Sequence, residues 1–219
     1  MQRFHLCSLL VVVVMLTAAA TPAFPAPPKS RSEALAGLRS PSEATRAEAV
    51  NWIASRGAMA DAPLLHERLR DDSETVREFA EQGLWLLWGR SGDDEIDRRM
   101  ARGTGEMQAG RLADSVATFS EIIRRKPDFA EGWNRRATAY YLAGEYEKSI
   151  ADCAEVLKRN PQHFGALSGL GQIYFKLEDY ERSLAWFRRA LEVNPNMLGV
   201  EINIEGIEEL LEQKRRRSI

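Results

Sequence analysis

A period of 34 residues constrains this chain more than any other feature. Pro127, Pro161 and Pro195 stand 34 residues apart. The same step relates Ser115, Ser149 and Ser183; Phe119, Cys153 and Phe187; Gly103, Ala137 and Gly171; and Leu112, Tyr146 and Tyr180. A fixed period of about 20–50 residues marks a stacked-repeat architecture, because each unit is too small to bury its own apolar face and must lean on its neighbours. Such a chain presents an extended surface, and binding is the function it is suited to.

One unit can be read between Ala130 and Pro161. Trp133, Ala137 and Tyr140 recur at i, i+4 and i+7, one face of a helix. Gly144 breaks that helix, and Glu145 completes the turn. Tyr146, Ile150, Cys153 and Leu157 form a second amphipathic face. Asn160-Pro161 ends it, because the residue before proline is driven from the helical region and proline lacks the N–H needed to continue. Ala137, like Gly103 and Gly171 in the adjoining units, is small where the two helices must cross closely.

This pattern resembles the tetratricopeptide repeat over roughly 96–195. The third unit carries Leu167, Leu170, Gly171, Tyr174, Tyr180, Ser183, Phe187, Ala190 and Pro195 in register. The second departs at Arg136 and Cys153, where Leu and an aromatic are commoner. The first keeps Gly103, Ser115, Phe119, Ile122 and Pro127, but has Arg99 and Glu106 where apolar and aromatic residues are expected. The resemblance implies an all-α, right-handed solenoid of antiparallel helix pairs whose first helices line a concave groove. The family's groove positions map onto Asn134, Thr138, Tyr141 and Leu142 in the second unit. In the third they map onto Ser168, Gln172, Phe175 and Lys176, and in the first onto Met100, Thr104 and Met107. The family's clamp for a C-terminal carboxylate is not expected, because only Asn134, Arg135 and Lys176 approach it and Gly165 and Gly169 interrupt it.

Residues 31–92 hold a different repeat, of 31 residues: Leu38 with Leu69, Ser42 with Ser73, Glu43 with Glu74, Arg46 with Arg77, Ala49 with Ala80, and Ile53 with Leu84. It resembles a short, two-helix HEAT-like repeat. That resemblance implies a polar ladder in which Asp72 and Arg77 pair and Arg46 stacks beside Arg77; the plainer reading is solvated charges at a helix end. Ser73 is placed as a helix N-cap. Two such units bury too little to stand alone. Trp85 and Trp88, in the apolar run LWLLWGR, are therefore expected to pack on the first helix of the following array, giving one continuous superhelix.

The ends of the chain are of another kind. Arg3, the apolar run from Leu9 to Leu16 and Ala18-Ala19-Ala20 read as a secretory signal peptide over 1–20. The alternative is a retained anchor, against which stands the short apolar length, below the ~20 residues that span a bilayer. Pro22, Pro25, Pro27 and Pro28 make 21–30 an extended linker. Past Pro195, the face Val200, Ile204, Ile207 and Leu211 opposes a glutamate-rich face, reading as a capping helix over 197–215 with a basic tail.

With 44% hydrophobic residues and a net charge of −2, the chain can fill a solenoid core and offers no electrostatic case for nucleic acid. His66 and His163 have no ligand partner at metal spacing, and no catalytic motif is present, so neither metal nor cofactor is expected. Cys153, alone once the signal is removed, falls on an apolar face as a buried thiol. The expectation is a non-enzymatic scaffold of the envelope or secreted space that binds a protein or peptide in the groove, touching membrane only if the N-terminal segment is retained. A membrane-tethered assembly factor or a regulatory subunit of an enzyme are the alternatives.

Overall fold

The computed structural model describes residues 25–217. The expected signal peptide, and residues 21–24 of the linker, lie outside the described residues. Regular structure among the described residues is entirely helical. A first block comprises α1 (Arg31–Gly37), α2 (Glu43–Arg56), a 3-10 turn at Met59–Asp61, α3 (Ala62–Arg68) and α4 (Glu74–Gly89). Three further pairs follow: α5 (Asp94–Gln108) with α6 (Leu112–Arg125), α7 (Ala130–Leu142) with α8 (Tyr146–Arg159), and α9 (Phe164–Lys176) with α10 (Tyr180–Val193). The long α11 (Leu198–Arg217) closes the stack, burying Val200 and Ile207 against Leu184 and Phe187. Among the described residues no helix is long and apolar enough to cross a membrane. The fold is an all-α solenoid of stacked helix pairs.

The period has a direct steric cause. A Cβ on Gly103 would lie 2.7 Å from the Phe119 ring, and one on Gly171 only 2.4 Å from that of Phe187. The helices of those pairs cross so closely that only glycine fits opposite phenylalanine. Where the period places Cys153, the thiol takes less room and Ala137 is tolerated. The serine of the period bonds the same crossing: Ser149 Oγ donates to the Ala137 carbonyl at 2.7 Å, and Ser183 Oγ to that of Gly171 at 2.7 Å. Ser115 is buried at the equivalent place without that bond. The turn inside each pair has one residue in the left-handed region, at Gly110, Gly144 and Glu178. Glycine adopts it freely; at Glu178 (φ 58°) a side chain is carried there at a cost.

The residues that depart from the repeat pattern find polar partners. Glu106, 5% exposed where an aromatic is usual, accepts from Thr118 Oγ1 at 2.7 Å and Arg102 Nε at 2.7 Å. Arg136 forms a two-pronged bond to Asp152, at 2.7 and 2.8 Å. Arg99 bridges Glu95 and Glu121. The first pair therefore folds like the others despite its atypical residues.

In the N-terminal block two expectations are corrected. Asp71, not Asp72, is the buried acid: Arg46 grips it with Nε at 2.9 Å and Nη2 at 2.7 Å, and it also accepts the Ser73 N–H at 3.0 Å. Asp71 faces inward because its carboxylate closes this turn, and Asp72, one residue on, is exposed. Arg77 does not pair with an acid of the ladder; it bonds the Asp71 carbonyl and, at 2.9 Å, Oδ1 of Asn196. Ser73 does cap α4, accepting the Val76 N–H. The second correction concerns Trp85 and Trp88. They bypass α5 and pack at the start of α9: Trp88 stacks on His163 with centroids 4.3 Å apart, and Trp85 meets Phe164 edge-on at 5.2 Å. Phe164, Val193 and Met197 belong to the apolar core of the N-terminal block. Polar contacts seal the same seam, Asn196 Nδ2 donating to the Leu69 carbonyl at 2.8 Å and Asn194 Nδ2 to Glu81 at 3.0 Å.

Candidate functional site

The groove is built from the exposed sides of α7 and α9. Helical spacing places Asn134, Thr138 and Tyr141 along α7, and Gln172 on α9 opposite them. Together these four border a cleft of about 170 Å³. Its deeper wall is Ala137, Cys153, Gly165, Gly169 and Ile173, and no charged residue lines it. Two of those residues lack bulk where a helix interior normally supplies it. A Cβ on Gly169 would meet only the Cys153 Sγ, at 3.9 Å, so small residues at 153 and 169 leave the cleft open.

The remaining predicted positions are distributed around it. Leu142 and Phe175 are 53% and 41% exposed at the rim, and Lys176 is exposed beside them. The Phe175 ring meets Tyr180 at 5.9 Å, while Tyr141 is half-buried against Tyr146 at 5.9 Å. Ser168 is buried and donates its hydroxyl to the Gly165 carbonyl at 3.1 Å, so it offers nothing to a partner. In the first pair Met100 is a core residue, packed with Ile96 and Phe119, while Thr104 and Met107 are half-buried. The groove is therefore a feature of the second and third pairs.

One end of it is closed. A Cβ at Gly165 would fall 2.3 Å from the Trp85 ring, so the N-terminal block overlies the start of α9. Beneath this lid lies a buried pair that sequence reasoning did not find. His163 Nδ1 accepts the Ala166 N–H at 3.1 Å, capping α9. That bond leaves Nε2 as the ring N–H, which faces Glu131 Oε2 at 3.2 Å. Arg135 Nε, at 2.7 Å, and Asn134 Nδ2, at 3.1 Å, complete the shell of Glu131. Burial opposes ionisation of Glu131, but His163, Arg135 and Asn134 outweigh it and hold the carboxyl below the usual glutamate range. No sequence signal links residues 32 apart on different units in this way. A larger hollow, of about 670 Å³, lies between α1 and α3.

Helix pairs crossing at a small residue, with first helices side by side along a groove, are a helical-repeat fold of the tetratricopeptide type. The tetratricopeptide repeat family matches the sequence at 130–163 and 165–197, and these segments are tetratricopeptide repeats. No curated protein matches the sequence. Among solved structures, the first tetratricopeptide domain of Spaghetti (RPAP3), bound to the HSP90 peptide SRMEEVD, superposes with a TM-score of 0.52 at 19% identity, covering 54% of this chain and 94% of that one. The Sgt2 tetratricopeptide domain from Aspergillus fumigatus gives 0.54 at 21% identity, covering 57% and 83%. The TPR2B domain of yeast Sti1, in its pHsp70 complex, gives 0.51 at 18% identity, covering 54% and 99%. At these identities the likeness establishes the fold.

Proposed function

We propose that the chain is a non-enzymatic interaction protein that holds a partner segment in the groove between α7 and α9. The observation that carries this is the exposed apolar rim of Leu142 and Phe175 beside an uncharged cleft bordered by Asn134, Thr138, Tyr141 and Gln172. Aromatic and aliphatic rims bury partner side chains, and amides bond its backbone. The similar domains of Spaghetti and Sti1 hold peptides of HSP90 and Hsp70. The HSP90 peptide ends in Glu-Glu-Val-Asp, whereas no charged residue lines this cleft. A partner other than an acidic chain terminus suits it.

We further propose an envelope or secreted location, on the signal-like residues 1–20, and a HEAT-like origin for the N-terminal block. N-terminal sequencing of the mature protein tests the first and separates it from a membrane-tethered form. A photo-crosslinking residue at Gln172 tests the groove: it should capture a partner segment in cells, and capture only from residues 214–217 would move binding to the basic tail. Tyr141→Ala and Phe175→Ala should each weaken partner capture about 30-fold, as loss of a ~2 kcal/mol anchor does.

A further inference from the structure

The hydrogen-bond polarity of the α7 wall is fixed from inside the protein. Glu131 is 2% exposed and receives three donors: Arg135 Nε on Oε1 at 2.7 Å, and His163 Nε2 and Asn134 Nδ2 on Oε2 at 3.2 and 3.1 Å. Burial opposes its ionisation, but His163, Arg135 and Asn134 keep the carboxyl below the usual glutamate range, so it is a carboxylate and can only accept. The Asn134 side chain therefore has one orientation: its NH2 end faces Glu131 and its carbonyl end, Oδ1, is turned away. One turn on, Thr138 Oγ1 lies 3.0 Å from the Asn134 main-chain carbonyl. A carbonyl has no hydrogen to give, so the hydroxyl donates and keeps its lone pairs free. Both side chains border the cleft, and each is left with an oxygen acceptor to present there.

Resting on the groove reading above, we propose that α7 is an acceptor wall set by Glu131 as its positioning residue, along which a bound segment lies extended and donates the main-chain N–H groups of two residues, i and i+2, to Asn134 Oδ1 and Thr138 Oγ1. The spacing selects main chain. Side chains four apart on a helix stand one above the other with a rise of about 6 Å, close to the about 6.6 Å between alternate N–H groups on one edge of an extended strand. The charges select against the alternatives. A cationic side chain would find no counter-charge, because the Glu131 carboxylate is already met by Arg135 and the charge at the rim of the groove is that of Lys176. A carboxylate would set acceptors against acceptors.

The probe is a display library of random 12-residue peptides panned on the full chain and counter-screened on Tyr141→Ala, which keeps those held in the groove. A selected peptide is resynthesised with each main-chain N–H in turn replaced by an ester oxygen, which removes the donor with little change of shape. Each version is titrated against wild type, Thr138→Val, Asn134→Ala and Glu131→Gln, with circular dichroism and melting temperature as checks on folding. Esters at two positions, two residues apart, should each weaken Kd about 3- to 10-fold, with the residue between them tolerant. Thr138→Val should abolish one of these ester effects and leave the other, and Asn134→Ala the reverse. Glu131→Gln should shrink the effect that Asn134→Ala abolishes, because the amide can then turn its NH2 outward; a structural lesion alone would not single out that position. Should Glu131→Gln not fold, the side-chain amide protons of Asn134 in wild type decide its part: slow exchange supports the bond to Glu131, and rapid exchange refutes it. Peptides that tolerate every ester yet lose binding in Tyr141→Ala refute the acceptor wall and leave the groove standing. Ester effects that survive both Thr138→Val and Asn134→Ala refute it too, as does a required Lys or Arg whose replacement outweighs every ester. A library that yields only peptides indifferent to Tyr141→Ala removes the groove, and the acceptor wall with it.

Discussion

Truncation of Trp88 should loosen the whole molecule, including parts it does not touch. The ring is 4% exposed, stacked on His163 at 4.3 Å, tilted on Phe164 at 4.9 Å and edge-on to Trp85 at 5.2 Å. It is the centre of the seam that joins the N-terminal block to the start of α9. Replacing a buried tryptophan by alanine costs about 3–5 kcal/mol. Against a typical total of about 5–15 kcal/mol, that is about a fifth of the stability or more. With a urea slope of about 2 kcal/mol per M, the unfolding midpoint should fall by about 2 M. Cys153 provides a reporter in a different core cluster from Trp88. It is 3% exposed in the cluster of Ala137, Leu170 and Ile173, and burial pushes its thiol up to about 12, so native protein should label slowly. In Trp88→Ala the urea midpoint for Cys153 labelling should shift together with that of tryptophan fluorescence and circular dichroism. If fluorescence shifts while the labelling midpoint stays at the wild-type value, the two blocks unfold independently and the seam does not couple them.

Gly171→Ala should cost about 1–3 kcal/mol, since its Cβ would sit 2.4 Å from Phe187. Adding Phe187→Cys recreates the Ala137–Cys153 combination of the preceding pair, and thermal melts should show the double variant less damaged than the sum of the singles by at least about 1 kcal/mol. Glu178→Gly should raise the urea midpoint, by about 0.5–1 kcal/mol of stability, because it removes a side chain from a left-handed turn where the other two pairs have glycine. His66 is buried, with Arg70 and His163 near it, and its pKa is lowered from 6.5 to about 4. The folded state thus binds this proton more weakly than the unfolded chain. Its contribution is full above pH 6.5 and is lost as pH falls toward 4, on the order of 2–3 kcal/mol. His66→Leu should flatten the dependence of the urea midpoint on pH across that window; an unchanged slope would assign the effect to other groups.

What the sequence made legible follows the range of the physics behind it. Gly103, Ala137 and Gly171 could be read as crossing points because helix packing within a pair repeats with the chain. Ser73 could be read as a cap because capping acts over three residues. The choice of Asp71 over Asp72 was not legible: both are acids at one turn, and only the burial of one distinguishes them. Glu106 looked like decay of the repeat, because its partner Thr118 lies on the opposite helix and carries no mark of the pairing. The apolarity of Trp85 and Trp88 announced a docking surface, but periodicity describes neighbours, and their partners His163 and Phe164 are about two repeats away in the chain. Cys153, Gly165 and Gly169 registered only as departures from the family pattern. The cleft that Cys153 and Gly169 leave open appears when α8 and α9 are placed side by side, and the room at Gly165 is taken by Trp85.

The placement of the N-terminal block links these observations to binding. Two helix pairs bury too little to stand alone, so the block must find apolar surface elsewhere. Stacking it in sequence on α5 would have extended the array and left the turns at 163–164 and 193–197 in water. Docking on those turns instead satisfies Asn194 and Asn196 and covers Phe164 and His163. It also brings Trp85 over Gly165, closing one end of the groove without entering the cleft beside Gly169. On the groove binding proposed above, the block would mark where a bound segment turns aside, and the exposed Leu142 and Phe175 where it continues. On that reading Trp88→Ala should influence binding only through stability and the closed end, while Tyr141→Ala should weaken it with the fold intact.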